Sequence, residues 1–198
     1  MKKRIGIVML AAVFIIFAYF YAHIDKNTYL YDRNKDSSTF ISTGILKEDE
    51  QVSQPFVCQE EHIDGFNIKM GIIGNTEDVV LQYALVDSED QPVYEGEIKA
   101  SEIEHNKFNL LAAERISGAK DKSYRLVLKQ TGADDMNGVN FFICPSDAEG
   151  IATKDNETQG TLVAKMVTHR FDLETFFVFL GFVAFIGGFM KILYKLFK

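Results

Sequence analysis

The chain has 198 residues, carries a formal net charge of −7, and is 47% hydrophobic. Binding to a nucleic-acid backbone needs an excess of Lys and Arg, so this acidic balance argues against a nucleic-acid partner. The sequence contains no internal repeat and no low-complexity tract. Its apolar residues concentrate in two terminal segments, and the middle of the chain is polar and acidic.

The first apolar segment runs from residue 5 to residue 24 without a formal charge. A helix needs about 18 to 25 mostly apolar residues to cross a bilayer, so residues 1–24 are predicted to form an N-terminal transmembrane signal-anchor. Residues 2–4 are basic, and positive charge beside a span stays in the cytoplasm. A cleaved signal peptide is the alternative, but cleavage needs small residues, whereas bulky Tyr19 and Tyr21 stand near the end of the segment.

Polar residues follow the anchor over 25–38 and predict a stalk. From residue 39 to residue 170, apolar and polar residues alternate in short runs that Gly, Asn, Asp and Ser clusters separate. A period of two is typical of half-buried strands. This region is therefore predicted to be an all-β extracytoplasmic domain, a β-sandwich or jelly roll, with a surface loop over 145–160. The strand candidates are residues 40–46, 52–58, 66–72, 79–85, 93–98, 107–111, 124–128, 139–144 and 161–168.

The central region is more acidic than the chain as a whole. The chain has 21 Lys and Arg and 28 Asp and Glu. Six of the basic residues and one acidic residue, Glu174, lie in the terminal segments outside residues 25–172. Residues 25–172 therefore keep 15 basic and 27 acidic residues, a net charge of −12. This asymmetry agrees with an extracellular central domain, because basic flanks remain in the cytoplasm.

Cys58 and Cys144 each end a strand candidate, one early and one late in the domain. The first and last strands of a sandwich are often neighbours, and an extracytoplasmic location permits disulfides. The two cysteines are therefore candidates for a disulfide, which would stabilise the fold by about 4 to 5 kcal/mol on the chain-entropy model. The alternative is two buried thiols without a bridge.

Two segments carry groups that ligate metals in other proteins. His62 lies in an acidic run over 59–64, but an extended strand points alternate side chains to opposite faces, so a solvated strand edge or turn is predicted there. Residues 134–138 form a predicted loop and offer more oxygen ligands for calcium. This loop lacks the EF-hand spacing and its distal Glu. No metal or cofactor is assigned, and structural calcium stays an alternative.

No motif in the chain points to catalysis. The sequence lacks a nucleophile elbow, a phosphate-binding loop, a dinucleotide fingerprint and an HExxH motif, so no catalytic residue is assigned and a non-enzymatic protein is predicted. Sugar-binding surfaces usually present aromatic rings, and the chain has no Trp. Tyr83 and Tyr124 fall at core-facing positions, which leaves Tyr94 as the strand candidate for a sugar contact.

The second apolar segment covers residues 176–190. Its length predicts a C-terminal transmembrane helix within residues 171–198. Lys191, Lys195 and Lys198 end the segment, so the C terminus is also expected in the cytoplasm. The predicted location is the cell membrane, with two passes and an extracellular central domain. An interfacial helix is the structural alternative for this segment.

Each apolar segment carries small residues on one helical face. The faces consist of Ala11, Ala18 and Ala22 in the first segment and Gly181, Ala184 and Gly188 in the second. Small residues let membrane helices approach closely. Two interpretations are open: the faces pack on each other or touch lipid, or they dock a larger membrane partner.

A pattern of strand and turn residues extends over much of the central region. It consists of Gln54-x-Phe56, Ile63-x-Gly65-Phe66-x-Ile68, Leu81-x-Tyr83-x-Leu85-x-Asp87, Val93, Ala100-Ser101-x-Ile103-x-x-Asn106-x-Phe108 and Gly118-x-x-x-Lys122-x-Tyr124-x-Leu126. With this pattern, residues 54–143 resemble the small extracellular β-sandwich domain of Firmicute membrane proteins linked to cell-surface polysaccharide assembly and membrane glycosyltransferases. The resemblance implies a Gram-positive cell-envelope role and carries over no catalytic residue.

The anchor, the acidic sandwich and the resemblance lead to one functional hypothesis. The chain is expected to be a non-enzymatic, membrane-anchored accessory protein that positions a glycan or a glycosyltransferase during cell-envelope polysaccharide assembly. Its expected partners are the lipid bilayer, an integral-membrane glycosyltransferase or transporter, and a surface glycan. The alternative is an extracellular module that binds a sugar or calcium and works with a membrane partner.

Overall fold

A computed structural model describes residues 2–48, 50–146 and 160–197. The chain divides into two compact units, one formed by Met1–Lys26 with His169–Lys198 and the other by Asn27–Thr168. Most of the loop predicted over 145–160 lies outside the described residues.

Strands dominate the described part of the chain, and a helix lies at each end of it. In chain order the elements are α1 (Lys2–Tyr21), β1 (His23–Tyr29), β2 (Ile41–Ile45), β3 (Gln51–Val57), β4 (His62–Ile73), β5 (Val80–Asp87), β6 (Pro92–Lys99), β7 (Lys107–Ser117), β8 (Ser123–Thr131), β9 (Gly138–Cys144), β10 (Thr161–Leu162), β11 (Ala164–Phe171) and α2 (Leu173–Leu196). Short 3-10 turns precede β2 and follow β6.

The strands form two antiparallel sheets. The larger sheet has the order β1-β11-β4-β9-β10, with β2 pairing with β9 and β7 pairing with β4. The smaller sheet has the order β3-β8-β5-β6. The predicted β-rich domain is thus confirmed. Among the described residues, α2 is the one helix long and apolar enough to cross a membrane.

The inner faces of both sheets contribute to one core, as in a β-sandwich. Strand β8 shows why the sequence folds this way, because Leu126 and Leu128 are buried while the alternate residues Arg125 and Lys129 lie on the other face. The largest fully buried side chains are Leu46, Ile63, Ile68, Met70, Leu81, Leu85, Leu111, Leu126, Leu128, Phe141, Ile143 and Leu162.

Two buried glutamines join the sheets through hydrogen bonds. Gln130 of β8 accepts a hydrogen bond from Val139 N–H at 2.9 Å and donates to the carbonyl oxygens of Val139 and Leu46. Gln54 of β3 accepts one from Leu162 N–H at 2.8 Å. In both cases a side chain of the smaller sheet satisfies backbone groups of the larger one, which buried backbone requires.

Strand β1 alters the predicted domain organisation. The segment predicted as a stalk over 25–38 begins with part of β1, which lies beside β11 in the larger sheet. Its side chains alternate between exposed and half-buried positions, with few large apolar residues among them. Sequence periodicity therefore gave no signal for this strand.

Tyr83 links the two sheets close to a glycine. Its ring lies opposite Gly96 of β6, where a Cβ atom would collide with the ring. Its hydroxyl donates a hydrogen bond to the Ala112 carbonyl oxygen of β7 at 2.7 Å. Burial, followed by the neighbouring Tyr94, raises the pKa of Tyr83 to about 12 from an ordinary value of 10.0.

The raised pKa predicts that the fold loses stability at alkaline pH. The neutral phenol is favoured in the folded state, so the Tyr83 contribution is present below pH 10.0 and is lost as the pH rises through about 12. Tyr83→Phe should cost about 1 kcal/mol at neutral pH, the worth of one hydrogen bond, and should flatten this alkaline loss. Urea unfolding of both proteins across this pH range would test it. Parallel pH profiles would contradict it.

Candidate functional site

A polar groove of about 720 Å³ lies on the outer face of the smaller sheet. Residues of β3, β8, β5 and β6 line it together with Asp90 of the turn after β5, and most of the strand residues alternate with residues that fill the core. The groove therefore follows from the same period of two that builds the sandwich.

One cross-strand row of the groove is polar on all four strands. The strand registers place Gln51 opposite Lys129, Lys129 opposite Gln82, and Gln82 opposite Glu97. All four residues are exposed. Within the described part of the chain, none of these four side chains has a hydrogen bond or an ion pair, so their donors and acceptors face solvent and are available to a ligand.

The next row has a small, apolar floor. Val127 of β8 lies opposite Ala84 of β5, and Ala84 lies opposite Glu95 of β6. Beyond this row, Arg125 and Asp90 form an ion pair at 2.5 Å. The groove thus has a small, apolar floor with amides, carboxylates and an ammonium group around it. This combination suits a hydroxyl-rich ligand.

Carboxylates are the acidic groups of the groove lining. It contains no Ser, Cys or His, so no Ser–His or Cys–His pair occurs in this lining. Of its three carboxylates, Glu95 and Glu97 stand two residues apart on β6, and Asp90 pairs with Arg125. A glycosidase needs its two carboxylates to flank the bond that breaks.

An ion pair between a buried aspartate and a half-exposed arginine lies in the segment where the sequence suggested only a solvated edge. Asp64 is 6% exposed and accepts a hydrogen bond from Arg115 Nε at 2.8 Å, and its other oxygen lies 3.3 Å from His62 Nε2. The register between β4 and β7 shifts between Ile63 and Gly65. This bulge brings Arg115 opposite the carboxylate, and bulges commonly redirect side chains in this way. Over the described ranges, no group of three or more potential metal ligands occurs.

The loop considered for calcium is occupied by its own hydrogen bonds. Asp134 Oδ1 accepts bonds from Met136 N–H at 2.7 Å and from Asn137 N–H at 2.8 Å. The Asn137 side-chain amide also donates to Asp134 and holds the pKa of this carboxyl below its ordinary value. Asp135 pairs with Lys47 at 2.7 Å. These oxygens stabilise a turn, and the arrangement gives no support to calcium.

The two cysteines are buried, free thiols in this structure. Cys58 Sγ lies 3.2 Å from the Glu60 carbonyl oxygen, whereas Cys144 Sγ lies 3.9 Å from the Asp32 carbonyl oxygen. The two thiols thus have different neighbours. In this structure they correspond to the alternative of two buried thiols without a bridge. Burial raises the pKa of both thiols, which makes them poor nucleophiles at neutral pH.

Tyr94 does not provide the sugar platform considered from the sequence. Its hydroxyl donates to the Ala112 carbonyl oxygen at 3.2 Å, and its ring lies 6.0 Å from that of Tyr83. Tyr94 therefore packs toward the other sheet and away from the groove. Tyr83 and Tyr124 are buried, as the sequence indicated.

The two small-residue faces have different environments. In the terminal unit, Ala18 and Ala22 are buried, and rings of α1 lie close to Phe179 of α2, with the Tyr21 ring at 5.3 Å. Ala11 is exposed. The second face is open: Gly181, Ala184 and Gly188 are exposed, and no atom lies within 4 Å of a Cβ built at either glycine.

Comparison with family models and with curated proteins finds no match for the chain. The resemblance of residues 54–143 to a polysaccharide-assembly domain therefore stays a prediction. The candidate site rests on the geometry of the groove, which joins the described residues of four strands.

Proposed function

We propose that the protein is a non-enzymatic, membrane-anchored accessory protein of cell-envelope polysaccharide assembly, and that its central domain holds a glycan or a membrane glycosyltransferase. The observation that carries this proposal is the polar groove on the smaller sheet, in a chain whose α2 is long and apolar enough to cross a membrane. Unpaired amides and charges over an apolar floor suit hydroxyl-rich ligands.

The proposed topology has two passes with both termini in the cytoplasm. Basic residues flank both apolar segments, and the region between them has a net charge of −12, which supports an extracellular central domain. Helix α1 covers Lys2–Tyr21, long enough to cross if its basic end reaches the headgroups.

The partner in the membrane is proposed to be an integral glycosyltransferase or transporter. The support is the open face of Gly181, Ala184 and Gly188 on α2, since small residues allow close helix packing in lipid. The second candidate is an extracellular sugar-binding module, which the groove supports without any membrane partner. A calcium-binding role has no such support, because Asp134 is already bonded within its own turn.

The first test is a mild-detergent pull-down of the full-length chain followed by mass spectrometry. We expect a stoichiometric membrane glycosyltransferase or transporter. Gly188→Leu should reduce its recovery, because the glycine has open space around it and the larger side chain meets only the partner. Gly6→Leu, another open glycine in a helix, is the matched control. A chain recovered alone, with glycan binding that Gln82→Ala weakens, would favour the second candidate instead.

The topology predicts that an engineered Ser88→Cys reacts with a membrane-impermeant thiol reagent in intact cells. Ser88 is exposed in the turn after β5. Background labelling should be low, because burial covers both native thiols and raises their pKa. The matched control is an engineered Lys3→Cys, which should react only after permeabilisation. Protection of the Ser88→Cys thiol in intact cells would contradict the extracellular assignment.

A further inference from the structure

The outer face of the larger sheet carries aromatic rings with lysines between them. We name it the aromatic–lysine face, and it consists of Tyr29, Phe40, Phe108, Phe142, Lys69 and Lys165. It belongs to the central unit and lies on the sheet that does not form the groove. Strand register explains its composition, because Lys69 lies opposite Phe108 across β4 and β7.

Each lysine head lies over two rings. Lys165 Nζ is 3.9 Å from the centre of the Phe108 ring and 5.0 Å from that of Tyr29. Lys69 Nζ is 4.9 Å from the Phe142 ring and 5.5 Å from the Phe40 ring. Within the described ranges, neither ammonium group has a carboxylate partner. Two unneutralised cations on one face stand out in a region with a net charge of −12.

Two of the four rings of this face are exposed to solvent, and Phe40 and Phe142 are half-buried. Tyr29 is 40% exposed and Phe108 is 37% exposed, and the adjacent Leu110 is 46% exposed. Exposed aromatic rings with lysine ammonium groups beside them form a surface that is both apolar and positively charged. The apolar part of such a surface is poorly hydrated. The surface as a whole is complementary to a ligand with apolar patches and negative groups.

We propose that the aromatic–lysine face binds an acidic polysaccharide. The CH groups of its sugar rings pack against the solvent-exposed parts of Tyr29 and Phe108 that the lysine does not cover, and its carboxylates or phosphates accept hydrogen bonds from Lys165 and Lys69. The cation–π contacts hold both ammonium groups in place before the ligand arrives. This inference goes beyond the proposed function, since it names a second face and a charged ligand class, and it does not require the groove to bind anything.

The test uses the full-length protein in nanodiscs of zwitterionic lipid, with polygalacturonate as the acidic probe and dextran as the neutral one. We expect retention of polygalacturonate that weakens as salt rises. Lys165→Met and Lys69→Met should each weaken it about tenfold, because each removes a charged hydrogen-bond donor. Lys165→Arg keeps the charge and the ring contacts and should retain binding. Phe108→Ala should weaken it about fivefold through lost stacking.

Lys99→Met is the matched control, since it removes the same charge from an exposed position of β6 that lies outside both the groove and this face. It should leave polygalacturonate binding unchanged. An equal loss in Lys99→Met would show that binding follows overall charge and would overturn this inference, leaving the proposed function standing. An equal loss in Lys129→Met, a variant of the groove, would also overturn it and would assign the acidic ligand to the groove. Binding of dextran as strong as that of polygalacturonate would also overturn it. So would binding of the protein to phosphatidylglycerol vesicles without binding to polygalacturonate. Melting temperatures of all variants check that none has unfolded.

Discussion

Replacing Gln130 with leucine should lower the free energy of unfolding by about 4 kcal/mol. The side chain is fully buried, and its amide satisfies Val139 N–H and the carbonyl oxygens of Val139 and Leu46. Leucine has a similar volume but no polar group, so Val139 N–H and the Leu46 carbonyl oxygen would remain buried without the partner that Gln130 supplies. The Val139 carbonyl oxygen would keep only its bond from Leu46 N–H at 3.4 Å. Each such group costs about 1 to 3 kcal/mol, and better apolar packing offsets only part of this.

Chemical denaturation of the full-length protein measures this effect. The matched control is Gln82→Leu, the same substitution at an exposed groove position without a hydrogen bond, which should change stability by less than about 0.5 kcal/mol. Equal losses in the two variants would show that the buried amide does not join the sheets.

Gly65→Ala should cost about 4 kcal/mol. Gly65 has a φ of 155°, a conformation that only glycine adopts readily, and a Cβ atom there would lie 2.6 Å from the Leu111 carbonyl oxygen. The blocking atom belongs to the paired backbone of β7, so no side chain can rotate away. The substitution would strain the bulge that holds Asp64 against Arg115.

The control for Gly65→Ala is Gly118→Ala. Gly118 has a φ of 65°, but nothing lies within 4 Å of an added Cβ atom. Its cost should therefore be the conformational penalty alone, about 1 kcal/mol. Thermal unfolding separates the two sites: a Gly65→Ala variant no less stable than Gly118→Ala would mean that the close approach to β7 is not rigid.

Sequence patterns predicted β2 to β9, and the periodicity was clearest in β5 and β8, which bury alternate residues. The strand bounds that the periodicity did not predict have local causes. Strand β7 continues to Ser117, well past the predicted end at residue 111, because the bulge opposite Asp64 interrupts the alternation. Strand β1 is largely polar, and residues 161–168 divide into β10 and the start of β11.

The groove was partly visible in the sequence, since Gln82 and Lys129 alternate with core residues. Their adjacency depends on the pairing of β5 with β8, which joins segments distant along the chain. The pairing of distant strands likewise decides the hydrogen-bond partners of Gln54 and Gln130. It also decides which rings lie beside Lys69 and Lys165. A single sequence indicates which face a residue occupies, but strand order decides which residues meet on it.

Strand order also dictates when this protein can finish folding. Strand β11 is inserted between β1 and β4, so the first strand made during synthesis finds its neighbour only after the last strand has been made. A nascent chain that ends before Ala164 leaves one edge of β4 open along the residues that β11 will cover. Open edges invite wrong pairing. Completion of the larger sheet must therefore follow translation through β11, and distant pairings of this kind fold slowly.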